Sequence, residues 1–235
     1  MLNTFFLQAT SGIDSVQNLP FSNPSQEVAT ESIIDLLSKG GPIMIPLGIL
    51  LFAAIYLFIE RFITIRKASH IDPNFMNNVR TYILNGNIEG AKSLCKSTNS
   101  PVAKIIEKGI LRIGRPVKDI ENAIENAGKI EISKLEKNVG ILNTIAGLAP
   151  MFGFLGTIIG VIAIFQEVSI KNSIEIGTIS GGLYIKMISS AAGLFVGMLA
   201  FAAYSFLTNR IDREMRNMEL SAIDFIDLLE EPANN

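Results

Sequence analysis

The chain has 235 residues, 49% of them hydrophobic and 18% charged, with 20 Lys/Arg against 22 Asp/Glu and a formal net charge of −2. One cysteine, Cys95, and one histidine, His70, exclude a disulfide framework and any Cys/His metal cluster. The even charge balance leaves no basic footprint for nucleic acid.

A soluble domain of this length could also bury a good core, so the distribution of residues decides the class. Residues 1–40, rich in Ser, Asn, Gln and Pro, read as a loosely ordered segment. Its start, "MLNTFFLQAT", lacks a basic n-region and makes a poor signal peptide. A first membrane span is predicted over 41–60, where "PIMIPLGILLFAAIYLFI" ends sharply at Glu60-Arg61. Crossing a hydrocarbon core of about 30 Å takes about 20 mainly apolar residues, and this run fits.

Residues 61–138 form a helical domain in this reading. Asn85-Gly86-Asn87 marks a turn, and "SPVAKIIEKGILRIG" is a short amphipathic unit closed by Gly114 and Pro116. From Val117 the apolar positions 117, 120, 124, 127, 130, 132, 135 and 139 keep near-helical spacing. The pattern predicts one long helix running on into the second span, 139–167. That span, "VGILNTIAGLAPMFGFLGTIIGVIAIF", is free of charge from Val139 to Phe165. A short link over 168–178 leads to the third span, 179–207. The third helix is expected to continue through the tail, 208–235, as far as Pro232.

Charge sets an orientation. Residues 61–138 carry fourteen Lys/Arg and eight Asp/Glu, while residues 1–41 carry only Lys39 against four acids. The positive-inside bias places 61–138 and the C-terminus in the cytoplasm and the N-terminus outside.

Spans two and three carry the polar content. On a helix, positions 143, 147, 150, 154, 157 and 161 share a face, so Asn143, Pro150 and Thr157 can line one surface. Gly156 and Gly160 on span two, and Gly193 and Gly197 on span three, are small-xxx-small pairs suited to close helix packing. Lys186, Ser190, Gly193 and Gly197 form a stripe on span three. Tight packing, with hydroxyls bonded to carbonyls one turn back, accounts for the glycines and competes for Thr157 and Ser190.

Lys186 has two readings. Its Cα lies about 12 Å from the expected start of the span, and a lysine stem of about 6 Å closes only part of that by snorkelling. The other reading pairs it with a carboxylate on a partner, since a charge inside a span marks function by default. Nothing assembles into an enzyme site. "FGFLGTIIG" has neither a phosphate-binding lysine nor a preceding strand, Cys95 reads as a core residue, and His70 as a solvated loop residue. No cofactor or metal is expected.

The run "GLAPMFGFLGTIIGVIAIF", followed by "ISGGLYIKMISSAAGLFVGMLAFAAY", resembles the paired second and third spans of the ExbB/TolQ/MotA proton-channel family, the ExbB-like members most closely. "ERFITIRKA" after the first span is similar as well, and the likeness covers about residues 40 to 232. The resemblance implies an all-α fold: three transmembrane helices with long cytoplasmic helical extensions, assembled as a homopentameric ring in a bacterial inner membrane. It further implies a dimer of single-span, ExbD-like partners inside the ring, whose aspartate carries the proton, and a TonB-like protein that receives the work. The family's hydroxyls fall on Thr157 and Ser190, which would face the pore.

One departure stands out. The glutamate that the family commonly has five residues before the third-span hydroxyl is replaced here by Ile185, next to Lys186. Either the carboxylate is dispensable, or Lys186 acts as counter-ion to the partner's aspartate. A TolQ-like or MotA-like motor role, although a fourth span is absent, and a passive membrane scaffold remain the competing functions.

Overall fold

In the computed structural model, residues 40–69, 72–171 and 176–230 are described. Residues 1–39, for which loose order was expected, the loop position of His70 and the end at Pro232 fall outside those ranges. Among the described residues there are seven helices and no strand, so the all-α expectation holds. They are α1 (Met44–Ala68), α2 (Phe75–Leu84), α3 (Ile88–Ser97), α4 (Pro101–Ile110), α5 (Val117–Glu136), α6 (Val139–Lys171) and α7 (Ile176–Glu230).

Three of these, α1, α6 and the first part of α7, are long and apolar enough to cross a membrane. Their outward faces are apolar as well: Phe52, Met151, Phe154, Phe165 and Met198 are all well over half exposed. In water such a surface would be untenable, so these faces need lipid or other protein chains around them. One core runs between the three helices. Leu47 and Ala54 from α1, Leu142 and Ala149 from α6, and Val196 and Ala200 from α7 are all buried in it.

A second core holds α2 to α5 against the far end of α7. It gathers Val79, Cys95, Ile106 and Ile124 around Phe225, which is fully buried. Local chemistry sets these short helices. Ser100 caps α4 by accepting from the Ala103 amide at 3.1 Å, with Pro101 in the first turn, where its missing N–H costs nothing. Asn87 caps α3 through the Gly90 amide at 2.9 Å. Gly86, in the predicted turn, has φ +68°, and Gly114, past α4, has φ +92°. Gly109 is small for a packing reason, since a Cβ there would stand 2.7 Å from the Phe225 ring. The end of α1 is tied to α7 by the Ser69 hydroxyl, which donates to the buried Glu214 carboxylate.

The single long helix expected from Val117 into the second span is not formed. It breaks at Lys137 and Asn138, and Asn138 has φ +63°, the one non-glycine residue at positive φ among the described residues. Apolar spacing carries across the break unchanged, because Leu135 and Val139 are both buried in the same core. Asparagine tolerates the left-handed conformation better than other residues with a Cβ, so α5 and α6 meet at a kink that needs no glycine. The link expected over 168–178 is also shorter, since α6 runs to Lys171 and α7 starts at Ile176. The third helix continues into the tail as expected, to Glu230.

Glu131 is buried between α4 and α5, where Lys134 donates to it at 2.6 Å and Lys104 at 3.1 Å. Burial works to raise its pKa, but the two lysine hydrogen bonds outweigh that and hold the carboxyl below its usual range.

Two predictions follow from these local features. Replacing Asn138 by Val should lower stability by about 1–2 kcal/mol, while Gly at the same place should match the natural chain; thermal unfolding in detergent compares them. Because the folded Glu131 pKa is depressed, its stabilising effect is full above the unfolded carboxylate value and fades as pH falls through the folded one. Glu131→Gln should therefore flatten the acid limb of a stability-versus-pH curve.

Candidate functional site

The seam between α6 and α7 is built on glycine. A Cβ on Gly193 would lie 2.6 Å from the Ala149 carbonyl oxygen and 2.8 Å from the Gly153 Cα. One on Gly153 would lie 3.0 Å from the Ser189 carbonyl oxygen and 3.1 Å from the Ser190 Cα. Backbone therefore meets backbone, and only glycine allows that approach. One turn along, Gly197 lies under Pro150, whose Cγ would stand 2.6 Å from an added Cβ. Pro150 has no N–H to give the Ala146 carbonyl. That oxygen is directed at the Gly197 surface, 3.0 Å from where a Cβ would be, so a proline inside α6 is accommodated by the facing glycine.

The hydroxyls sit along this seam. The Thr157 Oγ1 is 3.3 Å from the Gly153 carbonyl of its own helix and 3.4 Å from the Lys186 carbonyl of α7. Both distances are long for a hydroxyl donor, so the proton is weakly held and the oxygen lone pairs remain available. Ser189, fully buried, donates to the same Lys186 carbonyl at 2.8 Å. The Lys186 carbonyl thus collects two hydroxyls from two helices. Ser190 is half-buried at the edge of the seam, one turn beyond Lys186 and against Gly153.

Asn143 and Pro150, with Gly147, form one wall of an open groove of about 510 Å³, and Leu194, Gly197 and Phe201 from α7 form the other. Asn143, Pro150, Thr157 and Ser190 accordingly border a single α6–α7 seam. At the kink end of the seam, Glu136, Val139, Gly140, Tyr204, Thr208 and Asp212 line a smaller pocket of about 300 Å³.

The two remaining predicted positions behave differently from Gly153 and Gly193. Gly156 faces side chains, Ser189 and Ile43, with the Ser189 Oγ 2.8 Å from an added Cβ. Gly160 faces the stem of Lys186: an added Cβ would fall 2.1 Å from its Cγ, 2.2 Å from Cδ and 2.6 Å from Cε. The ammonium lies by Gly41, 3.9 Å from where a Cβ would be, at the turn that starts α1. Lys186 therefore leans over α6 towards the end of α1, while Thr157 and Ser190 keep to the seam.

Two residues escaped the sequence reading. Ser189 is the more buried of the adjacent serines, and Gly153 meets the α7 backbone at Ser189, Ser190 and Gly193; neither had a pattern apart from its neighbours. Among the described residues no group of His, Cys, Asp and Glu is placed to hold a metal ion. Cys95 is buried in the helical domain, and that burial, with Glu107 adding to it, pushes its thiol up to about 12. It is a core residue rather than a nucleophile.

The model of the MotA/TolQ/ExbB proton channel family matches residues 97–220, a stretch that contains the whole seam and covers more than half of the chain. The chain belongs to this family.

As a family member it is a multi-pass membrane protein and a subunit of proton-channel type. It is 28% identical over 191 residues to a biopolymer transport protein ExbB homolog of Methanothermobacter thermautotrophicus, covering 80% of this chain and 67% of that protein. It is 29% identical over 135 residues to the Tol-Pal system protein TolQ of Haemophilus influenzae, covering 57% and 53% respectively. With the biopolymer transport protein ExbB of Helicobacter pylori it shares 35% over 78 residues, 33% of this chain and 54% of that one. The chain thus spans about half the length of the latter two relatives and two thirds of the first.

The glycine seam predicts a sharp contrast. Gly193→Ala should cost about 1–3 kcal/mol by forcing the two backbones apart. Gly181→Ala should be neutral, because an added Cβ there meets nothing within 4 Å. Thermal unfolding of the two purified variants decides it.

Proposed function

We propose that the chain is the ring-forming subunit of an ExbB–ExbD type motor in a bacterial inner membrane, with the Gly41 end of α1 outside and the helical domain in the cytoplasm. In this reading five copies surround a dimer of single-span partners. Protons pass through the ring by way of a partner aspartate, and the motion energises TonB-dependent transport at the outer membrane.

The observation that carries the reading is the hydroxyl seam. Thr157 is bonded weakly to two carbonyls inside an apolar span. Its lone pairs can accept from water or from a protonated carboxyl while its own proton is held. Packing alone accounts for the bond across the seam; the lone pairs left open beside it are what a proton path would use. Asn143 and Pro150 line a groove further along the same pair of helices, Ser190 lies against Gly153, and Lys186 supplies the one positive charge in the membrane part of α7. The likeness to ExbB-named relatives favours this role, and the match to TolQ supports an envelope-constriction motor as the second reading.

Flux into vesicles holding the subunit with its single-span partner tests the channel. Thr157→Val should lower proton flux by about tenfold or more, the effect of removing a positioned proton-handling group, and Thr157→Ser should retain it. Lys186→Gln should abolish motor-driven uptake with assembly intact. Full uptake in that variant removes Lys186 from the mechanism, and absence of flux in every form, Thr157 included, makes the protein a scaffold.

A further inference from the structure

We infer that Gly160 is the positioning residue for Lys186: it opens a notch on α6 that seats the lysine stem and fixes the ammonium at the Gly41 end of α1. The inference deepens the proposed function and rests on it only where that end is taken as the outer side.

Geometry separates this notch from ordinary helix packing. At Gly153 and Gly193 the nearest atoms to an added Cβ are backbone. At Gly160 all three nearest atoms belong to one side chain, the Cγ, Cδ and Cε of Lys186. Alanine at 160 would overlap the stem along its length. The space exists for the lysine.

The same contact fixes the height of the charge. Ile43 stands against Gly156, 3.0 Å from an added Cβ, and the Lys186 Nζ stands by Gly41. So α1 begins level with Gly156 and Gly160. Beyond Gly160, α6 continues to Lys171, about 16 Å of helix rise. The apolar run of α1 from Met44 to Ile59 rises about 24 Å, and a hydrocarbon core is about 30 Å thick, so neither end of that run can lie deep. The Lys186 ammonium therefore stands level with the start of α1, although its Cα counts ten residues into α7. No hydrogen bond or ion pair holds it among the described residues, so it is presented to whatever lies at that level. The hydroxyls of Thr157 and Ser190 are on the seam instead, and the two kinds of group occupy separate stations.

As a consequence, a carboxylate on the partner would meet the lysine charge at the mouth and the hydroxyls further in. A fixed cation at the mouth favours the ionised form of such a carboxylate and opposes entry of metal cations. Gly160 decides where that cation stands.

The test uses the full complex in membrane vesicles of both orientations and a membrane-impermeant amine-acylating reagent, with modified lysines read by peptide mass spectrometry. Lys186 should be acylated from the Gly41 side and not from the other. In Gly160→Ala its labelling rate should fall by roughly tenfold, because an overlap that close is relieved only by moving the stem. Stability gives a second readout. Gly160→Ala should lower the melting temperature in the natural background and leave it unchanged in Lys186→Ala, whose stem is gone. Labelling from the opposite side, no labelling from either side, or an equal melting loss in both backgrounds overturns the inference. None of these readouts needs proton flux, so a failed channel assay and a failed notch are distinguishable.

Discussion

Everything in the membrane part of this chain depends on how closely α6 and α7 approach at Gly153 and Gly193. With no gain from hiding apolar surface in lipid, two helices hold together by contact and by hydrogen bonding. The glycines bring the backbones together, and the rest follows by distance. Thr157, one turn beyond Gly153, reaches the Lys186 carbonyl across the seam. Pro150, one turn before it, has Gly197 beneath its ring. Were the helices wider apart, the Thr157 hydroxyl would turn to its own helix alone, and the carbonyl left open by Pro150 would face nothing.

The same approach explains why adjacent residues take different tasks. Ser189 and Ser190 differ by one helix step of about 100°. That step is enough to bury the first against Gly156 and leave the second half-buried at the edge of the seam. Lys186 divides within itself: its carbonyl serves the seam, and its side chain leaves it for Gly160 and the end of α1. In the proposed arrangement a lysine in an apolar helix is reconciled with the cost of burying charge, because its stem carries the ammonium to the start of α1.

The sequence was most legible where composition alone sets structure. Three spans, the turn at Gly86 and the continuation of the third helix could be read from hydropathy, glycine and periodicity, since each follows from local chemistry. Asn138 could not, because apolar spacing runs through it undisturbed and one residue at positive φ leaves no periodic trace. The hydroxyl pair was visible as a kind of residue, but choosing between Ser189 and Ser190 needed the rotation of α7 on α6. The direction of Lys186 was least legible. Counting residues from the start of its own helix put it deep, whereas its ammonium stands level with the start of a different helix, α1.

The kink also makes α6 and α7 mechanically unequal. From Ile176 to Glu230, α7 is one continuous helix, and its residues enter both cores: Val196 and Ala200 between the apolar helices, Met218 and Phe225 among α2 to α5. A force applied near Lys186 is carried along an unbroken ladder of backbone hydrogen bonds into the helical domain. Along α6 the ladder ends at Val139, and the left-handed Asn138 separates it from α5. The domain is therefore joined to the membrane part by an unbroken helix at α7 and, at α6, only through the kink at Asn138. Asn138 makes the difference between two helices that otherwise share a core.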